Sequence, residues 1–251
     1  MQVCQGTRVR CLDTAALAAW GAAFREVVVG VGTGDGRFVR HSAVEHPGVA
    51  FEGVDLCAAN LRKTARGVPA NALSVVADAL ALPAAMHGCA DRVTLDFPWS
   101  SLLRGLLVGD VGLFDGIASI VRRNRTIDLD IRLNAGALAE AGWAFETGCE
   151  RVTTVPENHS AIMDLPGFLD PAEVRRWPST WAKRLAFGRG PRPVYIRSRL
   201  NSEASACSWT SIPGQPHILI ASSEFGQAEN DQEAAFEISR PRGERRRWRA
   251  G

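Results

Sequence analysis

Lysine is nearly missing from this chain. Only Lys63 and Lys183 occur in 251 residues, so arginine supplies almost all of the 29 basic side chains. With abundant Ala and Gly, that usage fits a GC-rich coding background. No lysine stands at the glycine-rich turn described below, which excludes a phosphate-cradling loop of the Walker type. Paired cysteine motifs are missing too. The six cysteines are scattered with no C-x-x-C, which argues against a zinc site or a disulfide framework and makes a reducing cytoplasm the expected location. No apolar run approaches the roughly 20 residues of a membrane span. The first residues carry Arg8, Arg10 and Asp13 without an apolar stretch after them, unlike a secretory leader. There is no charge excess, since 27 acidic residues leave a net charge of +2. Overall charge alone therefore does not announce a nucleic-acid partner.

What the chain does have is a β-branched run that breaks into alternating glycines. Val27–Val31 reads as a buried strand, Gly32-Thr33-Gly34-Asp35-Gly36 as a tight turn, and Arg37 onward as a helix. Strand, glycine turn and helix form the nucleotide-binding corner of a doubly wound α/β domain. The alternative is an ordinary turn between strand and helix. A second strand, Val49–Asp55, ends in an acid about twenty residues after the glycines, the spacing of a carboxylate that grips a ribose diol. The G-x-G-x-G register differs from the G-x-G-x-x-G of dinucleotide sites. It is typical of enzymes that use S-adenosylmethionine (SAM), a cofactor without phosphates. Gly32, Thr33, Gly34, Asp35 and Asp55 are the candidate cofactor residues.

The remaining chain extends this pattern. Residues 1–12 can form a small hairpin, and Asp13 or Thr14 can cap a helix through Trp20. Ala58–Arg66 reads as a helix carrying Arg62, Lys63 and Arg66, either a solvated face or a set of phosphate contacts. A third strand from Leu73 runs into a loop at Asp78. That carboxylate can accept a hydrogen bond from a bound adenine's amine, or simply cap the loop. Ala90–Asp96 is a fourth strand. The pattern then predicts a helix over Val111–Val121, a strand over Thr126–Leu133, a helix over Ala135–Ala141, a strand from Trp143 to Val155 and a loop over 156–168. A capped helix begins at Asp170-Pro171, is interrupted at Pro178 and restarts at Ser179. Val194-Tyr195-Ile196 is a last strand. Residues 201–251 read as a poorly ordered tail rich in Ser, Gly, Gln and Glu, ending in clustered arginines. The expected organisation is one catalytic domain over 1–200 with that tail appended.

Two stretches carry more than fold. Phe97-Pro98-Trp99-Ser100 follows the fourth strand, where ligands lie in α/β sheets. Proline stiffens the turn, and tryptophan offers a flat face to a base taken out of its stack. Trp181 precedes a string of arginines that includes Arg184, Arg189 and Arg192, an arrangement suited to bases and phosphates. Either tryptophan could instead fill a core.

With these residues in view, the chain resembles the aminoglycoside-resistance 16S rRNA (adenine-1408-N1)-methyltransferases, the kanamycin/apramycin-resistance family. The resemblance rests on Gly6-Thr7, Gly32–Arg37, Gly53-Val54-Asp55, Phe97–Leu103 and Trp181–Arg189, and spans roughly residues 1–199. It implies a class I SAM-dependent methyltransferase: a Rossmann-like, doubly wound, seven-stranded-type sheet with an N-terminal hairpin and a C-terminal extension. It also implies SAM as cofactor, no metal, and 16S rRNA within the 30S subunit as substrate. It further implies Trp99 and Trp181 stacking on the flipped adenine, and Arg184, Arg189 and Arg192 on the distorted backbone; with no sign of a large exposed partner helix in the sequence, a monomer is the expected state. The chain departs from the family pattern in three places. Gly30 stands where the family has an acid, the segment between strands two and three is short, and the region between 130 and 142 is shortened.

Two rival readings remain at this level. Asp96-Phe97-Pro98-Trp99 also approaches the acid-Pro-Pro-aromatic signature of exocyclic-amine adenine methyltransferases, with Phe in place of the first Pro. Gly30 and the short linkers are also compatible with a non-catalytic RNA-binding relative.

Overall fold

The computed structural model describes residues 1–5, 8–65, 67–122, 126–157, 162–163, 167–168 and 194–201. All belong to one unit, Met1–Trp209. At its centre, five parallel strands run in the order β5 (Ala72–Val76), β4 (Val49–Asp55), β3 (Glu26–Val31), β6 (Arg92–Asp96) and β7 (Thr126–Leu133). Beyond β7 lies the antiparallel β10 (Val194–Asn201), then the short β8 (Ile162–Met163), with β9 (Gly167–Phe168) also pairing β10. This gives the seven expected sheet positions, the last split between two short strands. The expected hairpin, β1 (Gln2–Gln5) and β2 (Arg8–Cys11), adds antiparallel to β5 at the other edge.

Burial follows from sequence. β3 and β4 are hydrophobic along almost their whole length because both their faces are covered. On one face, Val27, Val29, Ala50 and Val54 pack with Leu17 of α1 (Thr14–Ala22). The same core holds Leu103, Leu106 and Leu107 of α4 (Ser100–Val108), with Leu113, Phe114 and Ile117 of α5 (Val111–Ile120). Each fully buried leucine there contributes about 1.5–3 kcal/mol. On the other face, α2 (Arg37–Glu45) sets Val39 and Ala43 against Val28 and Phe51. Asp13 caps α1 as expected, accepting from Ala16 N at 2.7 Å. Short α3 (Ala58–Arg62) and α6 (Ala135–Glu140) complete the crossovers so far.

Three sequence expectations need correction. The segment from Trp143 to Val155 is not a strand. It forms α7 (Phe145–Glu157), because Phe145, Cys149 and Val152 fall on one helical stripe that packs on the core. The β-branched run Val152–Val155 suggested a strand, and tertiary packing overrides that preference. Gly148 lets α7 approach α6 closely, since a Cβ there would lie 2.8 Å from Leu138 Cδ2. Residues 156–168 are not all loop: α7 extends through Glu157, and β8 and β9 follow. The helix expected over 58–66 is only α3. Lys63 N turns back to Asn60 O at 3.1 Å, and Thr64 Oγ1 donates to the Asp35 carbonyl, tying the chain to the glycine turn.

A carboxyl group sits inside the core on β4. Glu52, mid-β4, is 1% exposed between Val29 and Leu73, with Cys89 Sγ 3.9 Å from Oε2. Burial pushes its carboxyl up to about 7, against a small opposing contribution from the Cys89 contact. The folded state therefore holds this proton more tightly than the unfolded chain does. Stability falls as pH climbs from the ordinary glutamate range through about 7. We expect Glu52→Gln to stabilise the protein at pH 8 by about 3 kcal/mol, with the advantage gone near pH 4. Denaturant melts at the two pH values check this. A stability difference independent of pH would contradict it.

Candidate active site

The carboxyl ends of β3, β4 and β6 converge on the glycine turn. Gly32 N and Thr33 N donate to Val54 O at 2.8 and 3.0 Å, fastening the turn to β4. Gly32, Gly34 and Gly36 have φ of 73°, 59° and 69°, the left-handed region where glycine carries no Cβ penalty. A Cβ at Gly32 would overlap Leu102 Cδ2, whereas one at Gly34 would meet nothing within 4 Å. The turn is thus packed on one side and open on the other. Asp55, at the end of β4, reaches into it. Its Oδ2 accepts from Gly34 N and its Oδ1 from Cys57 N, both at 2.8 Å. Asp35 closes on the first turn of α2, accepting from Arg37 N at 3.1 Å and pairing with Arg37 Nε at 3.1 Å. Asp78 is exposed after β5, with Oδ1 accepting from Leu80 N at 2.9 Å, so the loop-capping role is present.

The Pro-Trp turn stands beside this corner. Leu102 of α4, three residues after Trp99, is the side chain that fills the space over Gly32. Trp99 is half-buried, packs in part against the main core, and occupies the position just before α4. Its neighbours are unusual: Phe97 has φ of 55° and Ser100 φ of 50°, the only non-glycine residues with positive φ among those described. Such conformations persist where the surrounding structure imposes them, and they aim the intervening residue. If the Ser100 strain is purely conformational, Ser100→Gly raises stability by up to about 1 kcal/mol in thermal melts, net of glycine's entropy in the unfolded chain. Destabilisation instead would reveal a role for the Ser100 side chain.

Two features were not read from sequence. Leu56 directly follows Asp55 and is 68% exposed, a large apolar side chain next to the acid that ends β4. Its place after the strand-ending acid was the available signal. The other is an ion pair beneath the Pro-Trp turn: Arg132 Nη1 of β7 lies 2.6 Å from Asp96 Oδ1, and Thr94 Oγ1 donates to Asp96 Oδ2 at 3.2 Å. Burial raises the Asp96 carboxyl, and the adjacent guanidinium and the Thr94 hydroxyl oppose that. Of the candidate RNA contacts, Arg62 and Lys63 are exposed on and just after α3. Burial raises the Cys4 thiol of the hairpin and the nearby Arg62 opposes that, while Lys63 Nζ donates to Asn60 Oδ1 at 3.0 Å. Arg66, Trp181, Arg184, Arg189 and Arg192 lie outside the described residues, as do the helix expected from Asp170 and the tail after 201. No group of three or more potential metal ligands occurs among the described residues.

The family model of NpmA, 16S rRNA (adenine(1408)-N(1))-methyltransferase, matches residues 2–200. The chain belongs to that family. It is 26% identical over 207 residues to the Escherichia coli 16S rRNA (adenine(1408)-N(1))-methyltransferase, covering 75% of this chain and 94% of that protein. The crystal structure of the antibiotic-resistance methyltransferase Kmr matches with a TM-score of 0.63 and 26% identity, over 80% of this chain and 99% of that one. A variant of the Catenulisporales acidiphilia enzyme, solved with cosubstrate SAM, shares the fold at a TM-score of 0.66 and 22% identity, over 86% and 99% of the two chains. The space beside Gly30 is taken up by the Thr33 side chain, whose Cγ2 would lie 3.0 Å from a Cβ on Gly30.

Proposed function

We propose that this chain transfers the methyl group of SAM to N1 of adenine 1408 of 16S rRNA in the small ribosomal subunit, and so confers aminoglycoside resistance. The single observation that carries the reading is the match of residues 2–200 to a family defined by that reaction. The site is compatible with the cofactor. The open side of Gly34 leaves room for it, the Asp55 carboxylate bound to the glycine turn would take the ribose diol, and the exposed Leu56 would meet an adenine face. When bound, SAM supplies a methyl carbon made electrophilic by its sulfonium.

The protein's part is positioning. Adenine N1 has its own lone pair, so no side chain needs to act as a base. Trp99, aimed by the strained Phe97–Ser100 turn, holds the flipped base in line with the methyl carbon. Trp181 closes the other face of the base. Flipping costs a few kcal/mol, and stacking returns about 1–3 kcal/mol per contact. Arg62, Lys63, Arg66, Arg184, Arg189 and Arg192 hold the distorted backbone, and Asp78 accepts from the cofactor's adenine amine. Residues 1–200 form the catalytic domain. The methylated adenine carries a positive charge, which repels a cationic aminoglycoside.

The exocyclic-amine rival meets a backbone obstacle. Phe97 occupies the position of the first proline in the acid-Pro-Pro-aromatic signature, and its φ of 55° is one that proline, fixed near −65°, does not adopt. Nucleoside mass spectrometry of modified 16S rRNA decides between the products. N1-methyladenine is expected, and N6-methyladenine would overturn the assignment.

A further inference from the structure

On the face of the sheet that α2 covers, a lane of two glycines and a threonine leads across the strands from β4 to β6. Gly53 of β4 and Gly30 of β3 are paired in register; the Thr33 side chain covers both, and Val39 of α2 also closes on Gly53, its Cγ2 2.9 Å from where a Cβ would be. Beyond Gly30 stands Thr94 of β6, its Oγ1 3.4 Å from where a Cβ on Gly30 would be. Thr94 leads to Asp96, and Asp96 is paired in register with Arg132 of β7. The lane therefore begins at the Asp55 carboxylate and ends at an ion pair.

That ion pair is an expensive way to join two strands. Its side chains are only 15% and 14% exposed, and removing charges from water costs several kcal/mol per ion unless the geometry repays it. It stands at the carboxyl ends of β6 and β7, where ligands of α/β sheets lie. The other ion pair near the glycine turn, Asp35–Arg37, closes on its own loop.

We infer that Asp96 and Arg132 form the subsite for the amino-acid end of the cofactor, with the Asp96 carboxylate taking the ammonium and the Arg132 guanidinium the carboxylate. This rests on the methyltransferase reading. With the ribose at Asp55 and the methyl at Trp99, the zwitterionic end falls over β3, β6 and β7. A carboxylate offers about four acceptor sites and a guanidinium five donors, so the pair can keep its own contact and serve a ligand as well. Gly30 contributes no side chain to this corner, so the charge there comes from β6 and β7.

Titration calorimetry on the full-length protein tests the assignment with two probes: S-adenosylhomocysteine, and 5′-methylthioadenosine, which lacks the amino-acid end. Asp96→Asn and Arg132→Gln should each weaken S-adenosylhomocysteine roughly 10- to 100-fold while 5′-methylthioadenosine stays within about threefold of wild type. The charge-reversed pair, Asp96→Arg with Arg132→Asp, keeps the strands joined and should give the same selective loss. Parallel loss of both probes would make the pair structural and overturn the inference. So would variants that bind both probes like wild type, while leaving the methyltransferase reading intact. A wild-type protein that binds neither probe overturns that reading and this assignment with it.

Discussion

Trp99→Ala lowers methyl transfer to small ribosomal subunits by about 100-fold, the kinetic equivalent of losing one base–aromatic stack near the top of its usual range. Affinity for S-adenosylhomocysteine stays within about threefold, because cofactor contacts are assigned to the glycine turn, Asp55 and the Asp96–Arg132 pair. Trp99→Phe keeps most of the activity, since a smaller aromatic face still stacks. The side chain also packs partly on the core, so some loss of thermal stability accompanies the alanine variant. Measuring transfer, cofactor binding and melting on the same preparation separates the two effects. If cofactor binding and transfer fall together, Trp99 is a core residue that supports the glycine turn through α4.

The second large effect separates two glycines of one turn. At Gly34 a Cβ meets nothing within 4 Å, so Gly34→Ala costs the folded protein only the left-handed strain, about 1–2 kcal/mol. If that open side is the cofactor's path, the same methyl group lowers S-adenosylhomocysteine affinity by about 100-fold or more. Gly32→Ala behaves differently. Its Cβ overlaps Leu102, and its φ of 73° adds strain, so about 2–4 kcal/mol of stability is lost before any ligand is considered. Calorimetry and thermal melts on both variants check the contrast. Unchanged affinity in Gly34→Ala would remove the open side of the turn from the cofactor site.

These contrasts show which parts of the site could be read along the chain. The hairpin, the Asp13 cap, the glycine turn and the acid ending β4 are local patterns, and each is where its pattern places it. That Trp99 follows the carboxyl end of β6, near the glycine turn, needed only the reading of β6 as a strand. The Asp96–Arg132 pair was not legible, because it joins residues 36 apart whose meeting depends on strand register. The Phe97 and Ser100 conformations left no mark in composition, since both residue types ordinarily avoid positive φ. Glu52 reads as an unremarkable polar position in a strand until its neighbours on both sides are known to be buried. The misreading of α7 has the same origin, for its helical stripe becomes decisive only against the core it packs on.

The most direct measurement is methyl transfer from labelled SAM to intact 30S subunits by the purified protein, with the modified base mapped by primer extension. The account predicts incorporation of label and a single new stop at adenine 1408. Label at another nucleotide, or no label in the RNA although the protein binds SAM, would contradict it.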